Sequence, residues 1–404
     1  MLAPVLMLPR SAKSLSRGEL RVVVFALALS LWAMTVMVWA RAPIPCGDFV
    51  CPYTMGSLVH HPERIYNADA FHAAQIALVP ASASLFYPPV YPPQLAVMMA
   101  PLSRLPFGMA ATVWSLIMVG LYALTIWGTY RSLDLRVDAV IVALLAAAFP
   151  PFVAMVQYGQ NTVLLVGACF LAWRALEAER SLLAGAALGL LAIKPQFGLP
   201  FAAIVLAGRE WRMFVGGACS IAAQATIVWL VMGPRAFTGL IATLPDTLAN
   251  ADALEWTAER VHSLRSLTRL LPDALQMPVW IAAVGILLIT VGLVWRSSVP
   301  VRVRLGFAVL AGVLVSPHLI IYDVTLLALP LLWLADWAKG RGTEREYGTA
   351  VGWLFVTLAL PWSALVHVQP SVLVMLWIAH QVWRSVPSNK ELSEHVPAQS
   401  TLTG

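Results

Sequence analysis

The run Arg21-Val-Val-Val-Phe-Ala-Leu-Ala-Leu-Ser-Leu-Trp-Ala-Met-Thr-Val-Met-Val-Trp-Ala40 decides the fold, and Cys46-Gly-Asp-Phe-Val-Cys51 just beyond it marks where chemistry is to be sought. A helix rising ~1.5 Å per residue needs ~20 apolar residues to cross the ~30 Å hydrocarbon core of a bilayer, and this run supplies them. Arg10, Lys13, Arg17 and Arg21 precede its apolar part, so the positive-inside rule keeps the N-terminus in the cytoplasm. Ala40-Arg41-Ala42 resembles a small-residue cleavage site. The run is longer than the ~7–15 residues of a signal h-region, so it reads as a retained first helix. Asp48 then stands just past a membrane exit, between two cysteines. Two readings of it stand: the reactive carboxylate of a membrane enzyme, or a solvated loop acid.

Composition extends the membrane reading to the whole chain. Of 404 residues, 60% are hydrophobic and 11% charged, against about 25% charged in soluble domains. So few charges cannot cover a water-facing surface. The fold class expected is all-α and polytopic, with about eleven to thirteen spanning or re-entrant helices. Helices satisfy their backbone groups internally in lipid, and the alternating strands of a barrel are absent. The net charge is +6. It is explained by Lys and Arg retained in cytoplasmic turns, and no basic stripe with interleaved aromatics argues for nucleic acid. The 16 Trp suit interfacial belts. Cys169 and Cys219 lie in apolar runs as packing residues, whereas Cys46 and Cys51 admit a disulfide if that segment faces an oxidising periplasm. Zinc is not indicated, because no second Cys or His pair follows at finger spacing.

Residues 42–86 read as a first outer loop holding Asp48, His60, His61, Glu63, Arg64, Tyr66, Asp69 and His72, with an amphipathic helix from Asn67 to Val79. His60-His61 reads as a metal pair or as solvated loop, the second favoured without a fixed carboxylate partner. Tyr87-Pro88-Pro89-Val90-Tyr91-Pro92-Pro93 stops any helix before it and can start one after it. Apolar runs follow at 94–105, 107–130, 137–152, 162–173, 182–193, 197–207, 214–232, 278–295, 305–315, 319–337, 347–365 and 371–383. Residues 1–385 are expected to form one integral membrane domain, and 386–404 a polar, disordered cytoplasmic tail.

The breaks between runs fall into two sets. Arg131/Arg136, Arg174/Arg180, Arg209/Arg212, Arg296/Arg302/Arg304, Lys339/Arg341/Arg345 and Arg384/Lys390 form the basic set, expected in the cytoplasm. Pro150–Asn161, Lys194-Pro195-Gln196, residues 233–276, Ser316-Pro317-His318 and Pro361–Gln369 form the other, expected outside. The alternation leaves a parity conflict at 94–105 and 107–130, which cannot both cross, so the Tyr-Pro-Pro segment is expected to dip in and return. The runs at 182–193 and 197–207 are each about 18 Å or less and are expected to be a broken pair meeting at Lys194.

The outer set collects Gln157, Tyr158, Gln160, Asn161, Lys194, Gln196, His318, Tyr322 and Asp323. Polar groups at membrane depth face a cavity or each other. Lys194 suits a phosphate, or snorkels to the interface. His318 and Asp323 face the same pocket, or cap helix ends.

The order of four features resembles a known family. They are Asp48-Phe49 with Tyr66; Phe86-Tyr87-Pro88-Pro89 leading to Pro101-Leu102, Leu105-Pro106 and Trp114; Gly159-Gln160-Asn161 followed by Arg180, Ala184-Gly185, Gly189-Leu190 and Lys194-Pro195; and Ser316-Pro317-His318 with Tyr322. From about residue 45 to 335 the chain resembles glycosyltransferase family 87, formerly a domain of unknown function, of the GT-C superfamily. The resemblance implies a polyprenyl-phosphate-linked sugar donor, a lipid or glycan acceptor, and no cofactor. It implies transfer of a hexose such as mannose with inversion, at the periplasmic face of a bacterial inner membrane. It implies Asp48 as the catalytic base, with Tyr66, Tyr87, Gln160, Asn161, Lys194, His318 and Tyr322 as substrate-binding residues. The Cys46/Cys51 pair departs from the family's pattern. A leaving group that is already a stable phosphate needs positive charge and donors rather than a general acid, which Lys194 or His318 can supply. No Walker or Rossmann glycine motif appears. A transporter or flippase is the competing class, but no internal repeat of the transporter kind is visible.

Overall fold

A computed structural model of the chain describes residues 16–249, 260–360 and 368–386. Among the described residues the regular elements are all helical. The first helix, Arg17–Arg41, is closed at its start by a capping box in which Ser16 and Glu19 satisfy each other's backbone donors. It joins Phe107–Ser132, Trp211–Met232, Asp273–Trp295 and Ile321–Arg341 as one of five helices long and apolar enough to cross a membrane. A sixth arises if Ala139–Ala147 and Pro150–Tyr158, bent by 48° at their junction, count as one span. The other apolar runs form shorter pieces. Thr162–Glu177, Val301–Val315, Glu344–Ala359 and Pro370–Arg384 have 15 or 16 residues each, about 22–24 Å of rise.

The parity conflict resolves through a helix too short to cross. Gln94–Met99 has six residues and is followed by a 3-10 turn at Leu102–Arg104, so only Phe107–Ser132 spans. Gln94–Met99 packs on Val50–Ser57 so closely that a Cβ on Gly56 would lie 2.7 Å from the Met99 backbone. The expected break at 181–208 is present: Ser181–Leu188 runs into a 3-10 segment, Gly189–Ile193. Lys194 sits at the joint, and Leu199–Gly208 resumes the helix after Pro195–Gly198.

One expected break is corrected. Pro150–Tyr158 is not an open outer turn but a helix, buried from Pro150 to Val156. Pro150 and Pro151 occupy its first turn, where a missing N–H costs nothing, so the two prolines start a helix rather than a loop. Only Gly159, Gln160 and Asn161 separate it from Thr162–Glu177. Within the expected outer stretch 233–276, Arg235–Ala249 and Leu264–Thr268 are helical. The expected amphipathic helix of the first loop is Ala68–Leu78, capped by the Asn67 side chain, with Phe71, Ala74 and Gln75 turned inward. The expected tail beyond Val386 and most of the break at 361–369 lie outside the described residues.

Described members of the two sets lie at opposite ends of helix Thr162–Glu177: Gln160 and Lys194 near Thr162, and Arg302 with Asp134 and Asp336 beside Arg174 and Glu177. The basic set pairs with acids: Arg136 with Glu344 at 2.8 Å, Arg302 with Asp336 at 2.8 Å, Arg21 with Asp138 at 3.0 Å, and Lys339 with Asp134. These contacts tie turns far apart in sequence, though exposed pairs contribute little stability individually. Helix Thr162–Glu177 begins among the outer-set residues and ends beside the Trp173–Trp333 contact, with ring centroids 5.4 Å apart. Its sixteen residues separate the two ends by about 24 Å.

Candidate active site

Asp48 sits in a 3-10 turn, Gly47–Phe49, at the start of helix Val50–Ser57. Its neighbour Phe49 is the anchor. Fully buried, it meets Trp114 at 5.9 Å, Tyr53 at 6.0 Å and Phe107 at 6.0 Å between ring centroids. Trp114 in turn donates its indole N–H to the Gly159 carbonyl at 3.1 Å. Gly159 has φ +72°, and a Cβ there would lie 2.8 Å from the Phe49 Cβ and 2.9 Å from that of Cys46. Only glycine combines that left-handed backbone with so close an approach. The first loop is thus clamped against the 159–161 turn, which brings Asp48 to Gln160.

A polar chain runs inward from there. Gln160 Nε2 donates to the Asp48 carboxylate at 2.7 Å. Its Oε1 accepts from the Tyr91 hydroxyl at 2.9 Å and from Lys194 Nζ at 3.4 Å. Lys194 Nζ also donates to Thr162 Oγ1 at 3.3 Å and forms an ion pair with Asp323 at 2.6 Å. The ammonium is flanked by the Tyr322 ring at 5.3 Å and the Tyr91 ring at 5.9 Å. Gln160, Asn161, Thr162, Lys194 and Asp323 are all buried. Asp48 alone of the two acids keeps part of its surface open, at the outer end of the chain.

Burial pushes the Asp48 carboxyl above the ordinary carboxylate range. The Gln160 hydrogen bond opposes this, then the charge of Lys194; Asp323 adds to the rise and His318 opposes it. A carboxylate moved toward neutral pH is better matched to accepting a proton than an exposed one.

The expected site residues divide by position. Asp48, Gln160, Lys194 and Tyr322 converge directly. Tyr87 joins them from the proline segment: its hydroxyl would stand 2.7 Å from a Cβ on Gly47, and Gln75 holds its backbone at 2.6 Å. His318 is half-buried on the Ser316–Leu319 segment, where the Ser316 hydroxyl donates to its carbonyl at 2.7 Å, and its charge reaches Asp48. Asn161 is buried with Oδ1 unpartnered. Tyr66 stands one layer back, and its hydroxyl donates to the Tyr91 carbonyl at 3.0 Å. Lys194 lies buried, with Nζ within reach of three acceptors, on Asp323, Thr162 and Gln160.

Three residues of the cluster were not singled out from the sequence as site residues. Tyr91 carried a signal in the repeated Tyr-Pro-Pro. Asp323 was read as pocket-facing or as a cap. Thr162, an ordinary helix-start residue, carried no signal. Cys46 and Cys51 are both free thiols, turned to different partners: Cys46 Sγ to the Val156 carbonyl at 3.7 Å, Cys51 Sγ to the Pro88 carbonyl at 3.2 Å. No group of three or more His, Cys, Asp or Glu converges to hold a metal among the described residues. The His60-His61 segment places His61 against Glu63 at 3.6 Å.

No solved structure matches the chain. It is 30% identical over 302 residues, 70% of each chain, to a polyprenol-phosphate-mannose-dependent alpha-(1-2)-phosphatidylinositol pentamannoside mannosyltransferase of Mycolicibacterium smegmatis. The family model for glycosyltransferase family 87 matches residues 90–317, which include Tyr91, Gln160, Asn161, Thr162 and Lys194 and stop one residue before His318. With more than half its length matched by that family and a clustered acid–amide–lysine site within a helical membrane fold, the chain belongs to glycosyltransferase family 87 and is a glycosyltransferase.

Proposed function

We propose that the chain moves a sugar, a hexose such as mannose, from a polyprenyl-phosphate donor to a lipid or glycan acceptor at the periplasmic face of a bacterial inner membrane, with Asp48 as the base. The observation that carries this reading is the contrast between the two acids of the cluster. Asp323 is locked against Lys194 and Thr162 beneath the surface, whereas Asp48 is held by one donor and retains an open side. Only the second can reach an incoming hydroxyl.

In this reaction Asp48 takes the proton of the acceptor hydroxyl as its oxygen attacks the anomeric carbon. The bond from that carbon to the phosphate oxygen breaks, and its electron pair leaves with the phosphate. The configuration inverts because attack and departure occur on opposite faces. The proton ends on Asp48. The lipid phosphate leaves as a stable anion, so it needs donors and positive charge. His318 and the Tyr322 hydroxyl, both coupled to the charge of Asp48, are the groups proposed to supply them. The donor class follows from the relative's stated dependence on a polyprenol-phosphate sugar. What supports the outward orientation is the positive-inside rule applied to the Arg and Lys of the basic turns.

Asp48→Asn keeps the side-chain shape and removes the base. With normal expression and membrane insertion, it is expected to lower transfer of label from polyprenyl-phosphate mannose by about 10²–10⁴-fold. Full activity in that variant refutes Asp48 as the base.

A further inference from the structure

We infer that Asp323 is a positioning residue for the transfer reaction: with Thr162 it pins the Lys194 ammonium against Gln160, and Lys194 and Tyr91 together lock the Gln160 amide with its NH2 toward Asp48. This deepens the reading of Asp48 as the base and rests on it.

The argument is one of donors and acceptors. Gln160 Oε1 faces two donors, Tyr91 OH at 2.9 Å and Lys194 Nζ at 3.4 Å, and its Nε2 faces one acceptor, the Asp48 carboxylate at 2.7 Å. The flipped amide would set an NH2 against an ammonium and a carbonyl oxygen against a carboxylate, so one orientation alone satisfies the partners. Lys194 can act this way only if it stays charged and in place. A lone ammonium so deeply buried is strongly disfavoured, and Asp323 supplies the counter-charge at 2.6 Å. Asp323 is itself steadied by the Thr162 hydroxyl at 2.5 Å and by its place in the 3-10 segment Ile321–Leu327, most of which is buried. The four elements that carry Asp48, Gln160, Lys194 and Asp323 are thus coupled through these side chains. Lys194 serves the base at one remove.

The charge of Lys194 also reaches Asp48, and Asp323 partly cancels it. The other ionisable groups facing Asp48 are His318, Tyr87, Tyr91, Tyr158, Tyr322 and the Cys51 thiol. Removing Lys194's charge therefore raises Asp48's midpoint, and removing Asp323 does the same, because an ammonium without its counter-charge is no longer held against Gln160.

The test is an infrared pH titration of the Asp48 carboxyl in the purified full-length protein, its band identified by loss in Asp48→Asn. Asp323→Asn and Lys194→Gln are both expected to move the midpoint up, each on the order of one pH unit. The double variant leaves no unpaired buried charge and so protects against misfolding; its midpoint is expected to move up with those of the single variants. A midpoint that stays in place or moves down in Asp323→Asn overturns the inference, since Asp323 would then act on Asp48 by its own charge alone. A second readout is turnover with polyprenyl-phosphate mannose: Asp323→Asn is expected to lower kcat about 10–100-fold with donor KM changed less than about twofold. A large rise in donor KM instead overturns it by putting Lys194 on the phosphate. The titration needs no turnover. Failure of the donor assignment therefore appears as an inactive unaltered protein with the upward shifts intact, and failure of the inference as shifts in Asp323→Asn that are absent or downward.

Discussion

Replacing Gln160 by Leu removes the one donor that Asp48 has within the cluster, and its consequence can be worked out in advance. The bond is 2.7 Å long, from a neutral amide to an acid that carries charge when it acts as base. A hydrogen bond to a charged group is worth about 1.5–3 kcal/mol, and one pH unit corresponds to about 1.36 kcal/mol. Felt in full by the ionised form, its loss would raise the Asp48 midpoint by about one to two units. Asp48 is partly open to solvent, so the lower end, about one unit, applies. The sign is fixed: the bond favours the charged form, so its loss drives the midpoint up. The acidic limb of kcat/KM, already above the ordinary carboxylate range because of burial, moves further up. Below that limb the variant loses about tenfold from ionisation alone. On the plateau it loses a further ~10–100-fold, since the carboxylate is no longer aimed. Leucine also leaves Tyr91 and Lys194 short of an acceptor, so the thermal midpoint falls. The assay is initial transfer rate against pH, with protein normalised by immunoblot. A limb that stays in place or moves down refutes the reasoning, whatever happens to the plateau rate.

Two further outcomes follow from the same geometry. Gly159→Ala forces an L side chain into a left-handed backbone, at about 1–2 kcal/mol. It also drives a Cβ into Phe49 and Cys46, so the thermal midpoint and transfer both fall; a variant as stable and active as the parent sinks the clamp. Cys46 and Cys51 are expected to react as thiols after denaturation without reductant, and reductant is expected to leave activity unchanged. A pair that reacts only after reduction would contradict the free thiols of the structure.

How much could be read without coordinates depends on how far apart the partners lie. The spans were legible because hydropathy is a local property: a segment such as Arg21–Ala40 announces its solvent by itself. The break at Lys194 was legible for the same reason, as a charge and a proline interrupting an apolar run. The division into basic and polar breaks was legible from residue type, and the structure pairs several of the basic residues with acids. Pro150-Pro151 misled, because prolines mark a helix start as readily as a loop, and the choice rests on what packs around them. The six-residue helix at Gln94–Met99 was foreseen only as a conflict of parity. Its shortness follows from the neighbouring prolines and from its packing on Gly56.

By itself the sequence determined that the chain lives in lipid, which breaks are basic and which polar, and that Asp48, Gln160, Lys194 and His318 belong to the polar ones. Only the tertiary structure decided what those residues do to one another. The contacts joining Asp48 to Gln160, Lys194 to Asp323, and Thr162 to Asp323 link positions 112, 129 and 161 residues apart. They also give Lys194 a buried counter-ion and two further acceptors. The physical reason is that a buried charge is tolerable only when its partner is at hand. No local pattern of residues records which distant segment will bring that partner.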